Sequence, residues 1–183
     1  ESVHAVYVNG TFAGYGTDSR LPSEYDVTRF VHGGRNELAI VVVRFSALSY
    51  IEDQDQWWMA GLHRSVWVES RPAVHIADLP VTTRYDPATG VGQVAVTGVV
   101  DFGGTPAPGW TVRTRLTDPT GRPIGEGQEH PVPFEHARPY QFTGFHTRAT
   151  WEVTDALAWS AETPHRYAVT VELVDPRGRV RQE

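Results

Sequence analysis

Apolar and polar residues alternate along most of the chain with a period of two, which is typical of β-strands. No stretch of useful length has the helical period, so the sequence predicts an all-β protein. Beyond Arg71-Pro72 the alternation predicts seven strands, the number found in an immunoglobulin-like β-sandwich. The predicted strands span residues 74–85, 91–102, 110–117, 122–127, 141–153, 167–174 and 179 onward. Turns of the form Asp-Pro-x-(x)-Gly separate several of them, at residues 86–90, 118–121 and 175–178.

The residues before Arg71 follow a different pattern. Strands are predicted at 3–9 and 11–15, joined by Asn9-Gly10, which accepts the positive φ angles of a type I′ hairpin turn. Asp26 is predicted to cap a helical turn over residues 27–32, which Gly33-Gly34 ends.

Two further strands complete the first region. Residues 36–44 are nearly continuous in apolar side chains, which predicts a central strand covered on both faces. Residues 62–70 alternate and are predicted to return to the sheet. We place a domain boundary at Arg71-Pro72, giving domains 1–70 and 71–183.

Composition excludes several classes of function. The net charge of −6 argues against a nucleic-acid surface, and no apolar run approaches the roughly 20 residues that span a bilayer. The chain has no cysteine, which fits a cytoplasmic protein. It starts at Glu1 without Met or a signal peptide and stops abruptly at Glu183, so we expect an excised piece of a longer protein.

The segment GYGTDSRLPSEYD, residues 14–26, carries the main candidate chemistry. Gly14 and Gly16 permit backbone conformations that a β-carbon would hinder, so the loop can bend sharply and other groups can come close. Asp18 follows them and can direct its oxygens at a ligand or a cation. Leu21-Pro22 favours an extended exit. On these residues alone, a plain connecting loop is the more common meaning of such a segment.

Other candidate sites are weaker. Glu52, Asp53 and Asp55 form a tight acidic cluster beside Trp57-Trp58. If these carboxylates were the catalytic pair of a glycoside-cleaving enzyme, two of them would have to face each other about 5 to 9.5 Å apart. One short loop does not provide the two opposed walls of a cleft that would hold them so. We therefore favour a solvated or interface loop over a catalytic pair. The eight histidines show no zinc-site spacing, which predicts dispersed surface or core residues.

Three segments together resemble one family. The runs GYGTDSRLPSEYDVTRFV, GRNELAIVVVR and SYIEDQDQWWMAGLHRSV are similar to the N-terminal region of the large β-galactosidases of glycoside hydrolase family 2. The resemblance is dense from Val6 to Val68 and looser afterwards, up to the element WSAETP with Tyr167. It implies a sugar-binding jelly-roll domain followed by an immunoglobulin-like sandwich. A jelly roll needs about eight strands, so the resemblance also implies that the four strands of residues 1–70 are incomplete, with unpaired edges such as 38–44, and we expect self-association through residues 1–70. In the family the catalytic (β/α)₈ barrel comes after both.

The resemblance also implies roles for particular residues. Asp18 matches the family aspartate that helps to bind a sodium ion and a hydroxyl group of the galactosyl unit. Asp53, Gln54, Trp57 and Arg64 match residues that pack near the barrel and orient neighbouring elements. The catalytic glutamates lie in the barrel, so no catalytic residue is expected here. Sodium and magnesium are implied for the intact enzyme, and this chain alone is expected to be inactive.

The implied partners are the catalytic barrel of the same parent chain and a galactoside substrate, with homo-oligomerisation expected and neither nucleic acid nor membrane. Residues 129–145 form a long loop that in the family reaches across a subunit interface, and a plain inter-strand loop is an equal alternative. A second hypothesis for the whole chain is a stand-alone carbohydrate-binding or adhesion sandwich module.

Overall fold

The structure is a computed structural model that describes residues 3–18, 20–51, 61–135 and 144–183. Within these residues the chain is all-β, as predicted, and it divides into two compact units, Glu1–Val68 and Glu69–Glu183. The strands are β1 (Val3–Val8), β2 (Thr11–Gly16), β3 (Leu38–Val43), β4 (His75–Asp78), β5 (Val81–Asp86), β6 (Val91–Asp101), β7 (Thr111–Thr117), β8 (Gln128–Pro131), β9 (Phe145–Val153), β10 (Ala168–Val174) and β11 (Val180–Gln182). Short 3₁₀ helices span Thr28–Phe30 and Ala47–Tyr50. None of the described helices is long and apolar enough to cross a lipid bilayer.

The first unit contains an antiparallel sheet in the order β2-β1-β3. The predicted hairpin between β1 and β2 is confirmed, with φ angles of 50° at Asn9 and 75° at Gly10. The Asn9 side chain also binds the segment that leads into β3. Its Nδ2 donates to the Phe30 carbonyl at 2.9 Å, and its Oδ1 accepts from the Glu37 amide at 2.9 Å. One asparagine therefore serves the turn and ties it to the entry of β3.

Three predictions for the first unit are wrong in detail. The helical turn covers only Thr28–Phe30, because Val31 is already extended, and its N-cap is Val27 and not the predicted Asp26, whose carboxylate accepts from the Thr28 amide at 2.9 Å. Strand β3 lies at a sheet edge and is largely exposed, not covered on both faces. Residues 62–70 form no strand, since alternation alone cannot make a ladder without a neighbouring strand to receive its hydrogen bonds.

The second unit is the predicted sandwich of two antiparallel sheets. One sheet has the order β11-β10-β7-β8. In the other, β6 is central, with β9 on one side and with β4 and β5 sharing its other side. Side chains on the inner faces of both sheets form one core, and Val100 and Leu173 at its centre are completely buried.

The strand boundaries of the sandwich differ from prediction at two places. Predicted strand 74–85 divides into β4 and β5 at Leu79-Pro80, since proline cannot donate to a ladder, and the described residues of the unit form eight strands. The predicted strand 122–127 is a turn region instead, with positive φ angles at Gly121 and Gly125, and pairing with β7 resumes in β8.

The three Asp-Pro turns are confirmed. Each ends on a glycine with positive φ: Gly90 (70°), Gly121 (84°) and Gly178 (75°). The Asp118 carboxylate accepts from the amides of Thr120 and Arg122 at 2.8 and 2.9 Å, and Asp175 accepts from the amide of Arg179 at 3.0 Å. These bonds favour the charged form, so the pKa of both carboxyl groups lies below the ordinary value of 3.8. The largest cause at Asp118 is the hydrogen bond from the Thr120 hydroxyl group, and the largest cause at Asp175 is the bond from the Arg179 amide.

Two glutamines join the sheets of the sandwich at its opposite edges. At one edge the Gln128 amide of β8 donates to the Thr150 carbonyl of β9 at 2.7 Å and accepts from the Thr150 amide at 3.3 Å. At the other edge Gln182 of β11 accepts from the Ile76 amide of β4 at 2.7 Å. Each side-chain amide thus occupies the place of a neighbouring strand and satisfies backbone groups that the sheet edge leaves unpaired.

Candidate functional site

The Asp18 loop, meaning the described residues 17, 18 and 20–22, follows β2 directly and carries the main predicted site residue. Asp18 is exposed, and its Oδ1 accepts from the backbone amides of Arg20 and Leu21, each at 2.7 Å. Both bonds pull the carboxylate back onto its own loop, in the manner of an Asx turn. The side chain is therefore oriented by local backbone and does not swing freely.

The same hydrogen bonds fix the charge of Asp18. The Leu21 amide, then the Arg20 amide, hold the pKa of the carboxyl below its ordinary value of 3.8. Asp18 is consequently an anion over the whole neutral range. The stability that its bonds contribute is present above the ordinary pKa and is lost only as the pH falls through the lowered one.

The second oxygen of Asp18, Oδ2, is available. None of the described residues donates a hydrogen bond to it. One oxygen is thus held by the backbone, and the other belongs to an exposed, charged side chain and can accept a further bond. Such an oxygen suits a polyol hydroxyl group or a hard cation.

Two roles were expected of the glycines before Asp18, a sharp bend and the close approach of another group, and the first is wrong. Gly14 and Gly16 both lie within β2, and neither has a positive φ, so no sharp bend depends on them. The other expected role, close approach of another group, is confirmed. The Tyr25 ring lies against Gly14, and the Tyr25 hydroxyl group lies against Gly16.

Sequence reasoning missed the residues that surround this contact. Tyr25 is hydrogen-bonded to His4 of β1, with 2.8 Å between its hydroxyl oxygen and Nε2. The available signal was the spacing of Gly14 and Gly16, because two glycines two positions apart open one face of a strand to a packed group.

Most of the other predicted site residues cannot be placed, since Asp53, Gln54 and Trp57, with Glu52 and Asp55 of the acidic cluster, lie outside the described residues. The predicted loop 129–145 is shorter than expected, because it begins within β8 and ends at β9, and residues 136–143 of it also lie outside the described residues. Arg64 is described and exposed. Among residues 3–18, 20–51, 61–135 and 144–183, no three histidine, aspartate or glutamate residues are placed to hold a metal ion.

Two grooves are present in the second unit. One, of about 320 Å³, runs beside Trp110 and the turn at Asp175, and the other, of about 570 Å³, lies between β4 and the strands β10 and β11. Both grooves are lined by residues of the second unit, and neither involves Asp18.

The comparisons with known proteins agree with this division into two β-units. Residues 1–72 match the family model of the sugar-binding domain of glycosyl hydrolases family 2, and residues 74–183 match the model described as glycosyl hydrolases family 2. The chain therefore belongs to glycosyl hydrolases family 2. The described residues form the two β-units and contain no (β/α)₈ barrel.

Curated relatives are more specific. The chain is 37% identical over 180 residues to a β-galactosidase of Aeromonas hydrophila, and 33% identical over 187 residues to one of Psychromonas ingrahamii. The alignments cover 97% and 98% of this chain, and the chain spans only 17% of the length of each relative. The predicted resemblance to β-galactosidases of this family is confirmed.

Solved structures support the fold. A β-glucuronidase of Bacteroides uniformis matches with a TM-score of 0.76 at 18% identity, covering 98% of this chain and 22% of that one. A β-glucuronidase of Parabacteroides merdae matches with a TM-score of 0.75 at 15% identity, covering 98% and 23%. At these identities the likeness concerns the fold alone.

Proposed function

We propose that this chain is the non-catalytic N-terminal portion of a β-galactosidase, an enzyme that hydrolyses terminal β-D-galactosides in a (β/α)₈ barrel of the same parent chain. The similarity to β-galactosidases along both units supports the proposal. The observation that carries it is the Asp18 carboxylate, with one oxygen held by the loop and the other free to accept. In the same proposal the sugar-binding domain ends near residue 70 and the sandwich domain begins at 71.

Asp18 contributes one ligand to a shared site in this proposal. Its free oxygen accepts a hydroxyl group of the galactosyl unit and helps to bind a sodium ion. A hard cation takes several oxygen ligands, so the remaining ligands come from the barrel. Magnesium is part of the same proposal for the intact enzyme; among the described residues no three histidine, aspartate or glutamate side chains are placed to hold a metal ion by themselves. Asp53, Gln54, Trp57 and Arg64 orient neighbouring elements of the barrel.

The first test is activity. The purified 183-residue chain is expected to show no hydrolysis of a chromogenic galactoside after removal of host enzyme. In the chain extended through its barrel, Asp18→Ala is expected to raise KM for the galactoside about 10- to 30-fold, because a charged hydrogen bond to the sugar contributes roughly 1.5–2 kcal/mol. Steady-state kinetics at several sodium concentrations measures KM for the unsubstituted enzyme and for the variant. The dependence of KM on sodium concentration is expected to be weaker in Asp18→Ala.

Asp26→Ala is the matched control. Asp26 lies in the same stretch, is also exposed and also accepts from a backbone amide, yet that amide belongs to Thr28 of the 3₁₀ turn and not to the Asp18 loop. The variant is expected to leave KM within about twofold, because a surface substitution away from the ligand changes stability only slightly. Equal KM values for both variants, or hydrolysis by the 183-residue chain itself, would contradict the proposal in favour of an independent module.

Self-association of the isolated chain is a further part of the proposal. Strand β3 lies at the edge of its sheet, and Leu38, Val41 and Val43 on it are 41–52% exposed. An exposed apolar edge pairs readily with a second copy. We expect dimers or larger species in analytical ultracentrifugation at high protein concentration, and a shift to monomer in Val41→Lys. A clean monomer for the unsubstituted chain would count against this part.

A cytoplasmic location completes the proposal. A chain without cysteine forms no disulfide bonds, which is compatible with a parent enzyme in the reducing cytoplasm.

A further inference from the structure

Tyr25 packs on the backbone of the strand that leads into Asp18. A methyl group placed on Gly14 would lie 2.6 Å from two carbon atoms of the Tyr25 ring, and one placed on Gly16 would lie 2.9 Å from its hydroxyl oxygen. Carbon atoms in ordinary contact are about 3.5–4.0 Å apart. The ring can therefore occupy this position only because both residues of β2 lack side chains.

His4 fixes the other end of Tyr25. His4 lies on β1 directly opposite Gly16, and its Nε2 is 2.8 Å from the Tyr25 hydroxyl oxygen. The two rings meet edge to face, with centroids 5.9 Å apart. The His4 ring also fills the space above Gly16, since its Cε1 lies 2.5 Å from where a methyl group on Gly16 would be.

The residues on either side of the Asp18 loop consequently contact each other. Gly16 precedes the loop, and Ser23 and Tyr25, which follow it, both contact the face of Gly16. Closing the ends of a short loop in this way removes conformations that it would otherwise explore. Inside the closed loop, Asp18 makes its two bonds to the backbone.

We propose that Tyr25, held in place by His4, is a positioning residue that fixes the direction of the free Asp18 oxygen before a sugar hydroxyl or a cation reaches it. The inference rests on the proposed role of Asp18 as a ligand and adds the device that orients it. This contact preorganises the binding group: a ligand that does not have to order the loop binds without losing the free energy of ordering it.

Tyr15 offers a matched comparison on the same strand. It lies between Gly14 and Gly16, and it is 67% exposed. Replacing Tyr15 by alanine makes the same chemical change as Tyr25→Ala without touching the contact between Tyr25 and the glycines. Only the Tyr25 variants are expected to alter the Asp18 loop.

The test uses NMR spectroscopy of the 183-residue chain. In Tyr25→Ala we expect the amides of Arg20 and Leu21 to exchange with solvent about tenfold faster, and the pKa of Asp18 to return towards its ordinary value, because the two bonds to Oδ1 open more often. Tyr15→Ala is expected to change neither quantity. Tyr25→Phe keeps the ring and loses the bond to His4, so its effect is expected to lie between the two.

Amides of β1 and β3 report whether the sheet remains folded. If Tyr25→Ala also exposes those amides, Tyr25→Phe and His4→Ala decide the question, and a change at Arg20 and Leu21 in both supports the inference. The inference is overturned if the loop amides and the pKa of Asp18 in the folded Tyr25 variants equal those of Tyr15→Ala.

Kinetics of the chain extended through its barrel separates this inference from the proposed function. Tyr25→Ala is expected to raise KM for a galactoside about tenfold with a smaller change in kcat, since the lost effect concerns orientation before binding. If Asp18→Ala leaves KM unchanged, the proposed function fails while the NMR result for Tyr25 stands. If Asp18→Ala raises KM and the Tyr25 variants do not, only the positioning role fails.

Discussion

Replacement of Leu173 by alanine is expected to lower the free energy of unfolding of the second unit by about 3–4 kcal/mol. Leu173 lies on β10 at the centre of the core between the two sheets and has no exposed surface. The substitution removes apolar contacts and leaves a cavity that two sheets, held at both edges by Gln128 and Gln182, cannot close easily. The measurement is urea unfolding followed by tryptophan fluorescence, since Trp151 belongs to the same core.

Leu157→Ala is the control for this prediction. The chemical change is identical, but Leu157 in the same unit is 48% exposed, so a loss below about 1 kcal/mol is expected. If the two variants unfold at the same urea concentration, Leu173 does not occupy the core that the sandwich places around it.

Replacement of Gly14 by alanine is expected to destabilise the first unit by about 2–3 kcal/mol. The new methyl group would meet the Tyr25 ring at 2.6 Å, and a rigid ring that packs on a strand cannot yield without moving away. That movement also breaks the bond from Tyr25 to His4. The loss is measurable as reduced protection of the β1 and β3 amides against hydrogen exchange.

Gly33→Ala provides the comparison in the same unit. Gly33 has no positive φ, and a methyl group there meets no atom within 4 Å, so the variant is expected to be neutral or slightly stabilising. Equal protection in Gly14→Ala and Gly33→Ala would show that Tyr25 does not lie against β2, and the positioning inference would lose its basis.

Local chemistry predicted the turns and the hairpin correctly because their determinants are adjacent in the chain. Asn9-Gly10 adopts two positive φ angles that few other residue pairs accept, and the aspartates of the Asp-Pro turns bond to amides a few residues away. The same reasoning failed where a distant partner decides the outcome. Residues 62–70 alternate like a strand, yet no described strand lies beside them.

The candidate site divides in the same way. Asp18 was found from its motif, and its attachment to the amides of Arg20 and Leu21 is local. The support beneath it was not found, because His4 and Tyr25 are 21 residues apart and meet only when β1 and β2 pair.

The all-β class of this protein and its turns were predicted correctly from residue types and their spacing, while its family was identified from the resemblance of whole segments, which also singled out Asp18. Folding in three dimensions assigned the rest: which strand is an edge, where the first predicted sandwich strand breaks, and which side chains close the Asp18 loop. The physical reason is that turn preferences depend on neighbouring φ and ψ angles, whereas edges and close contacts depend on which distant segments share a ladder.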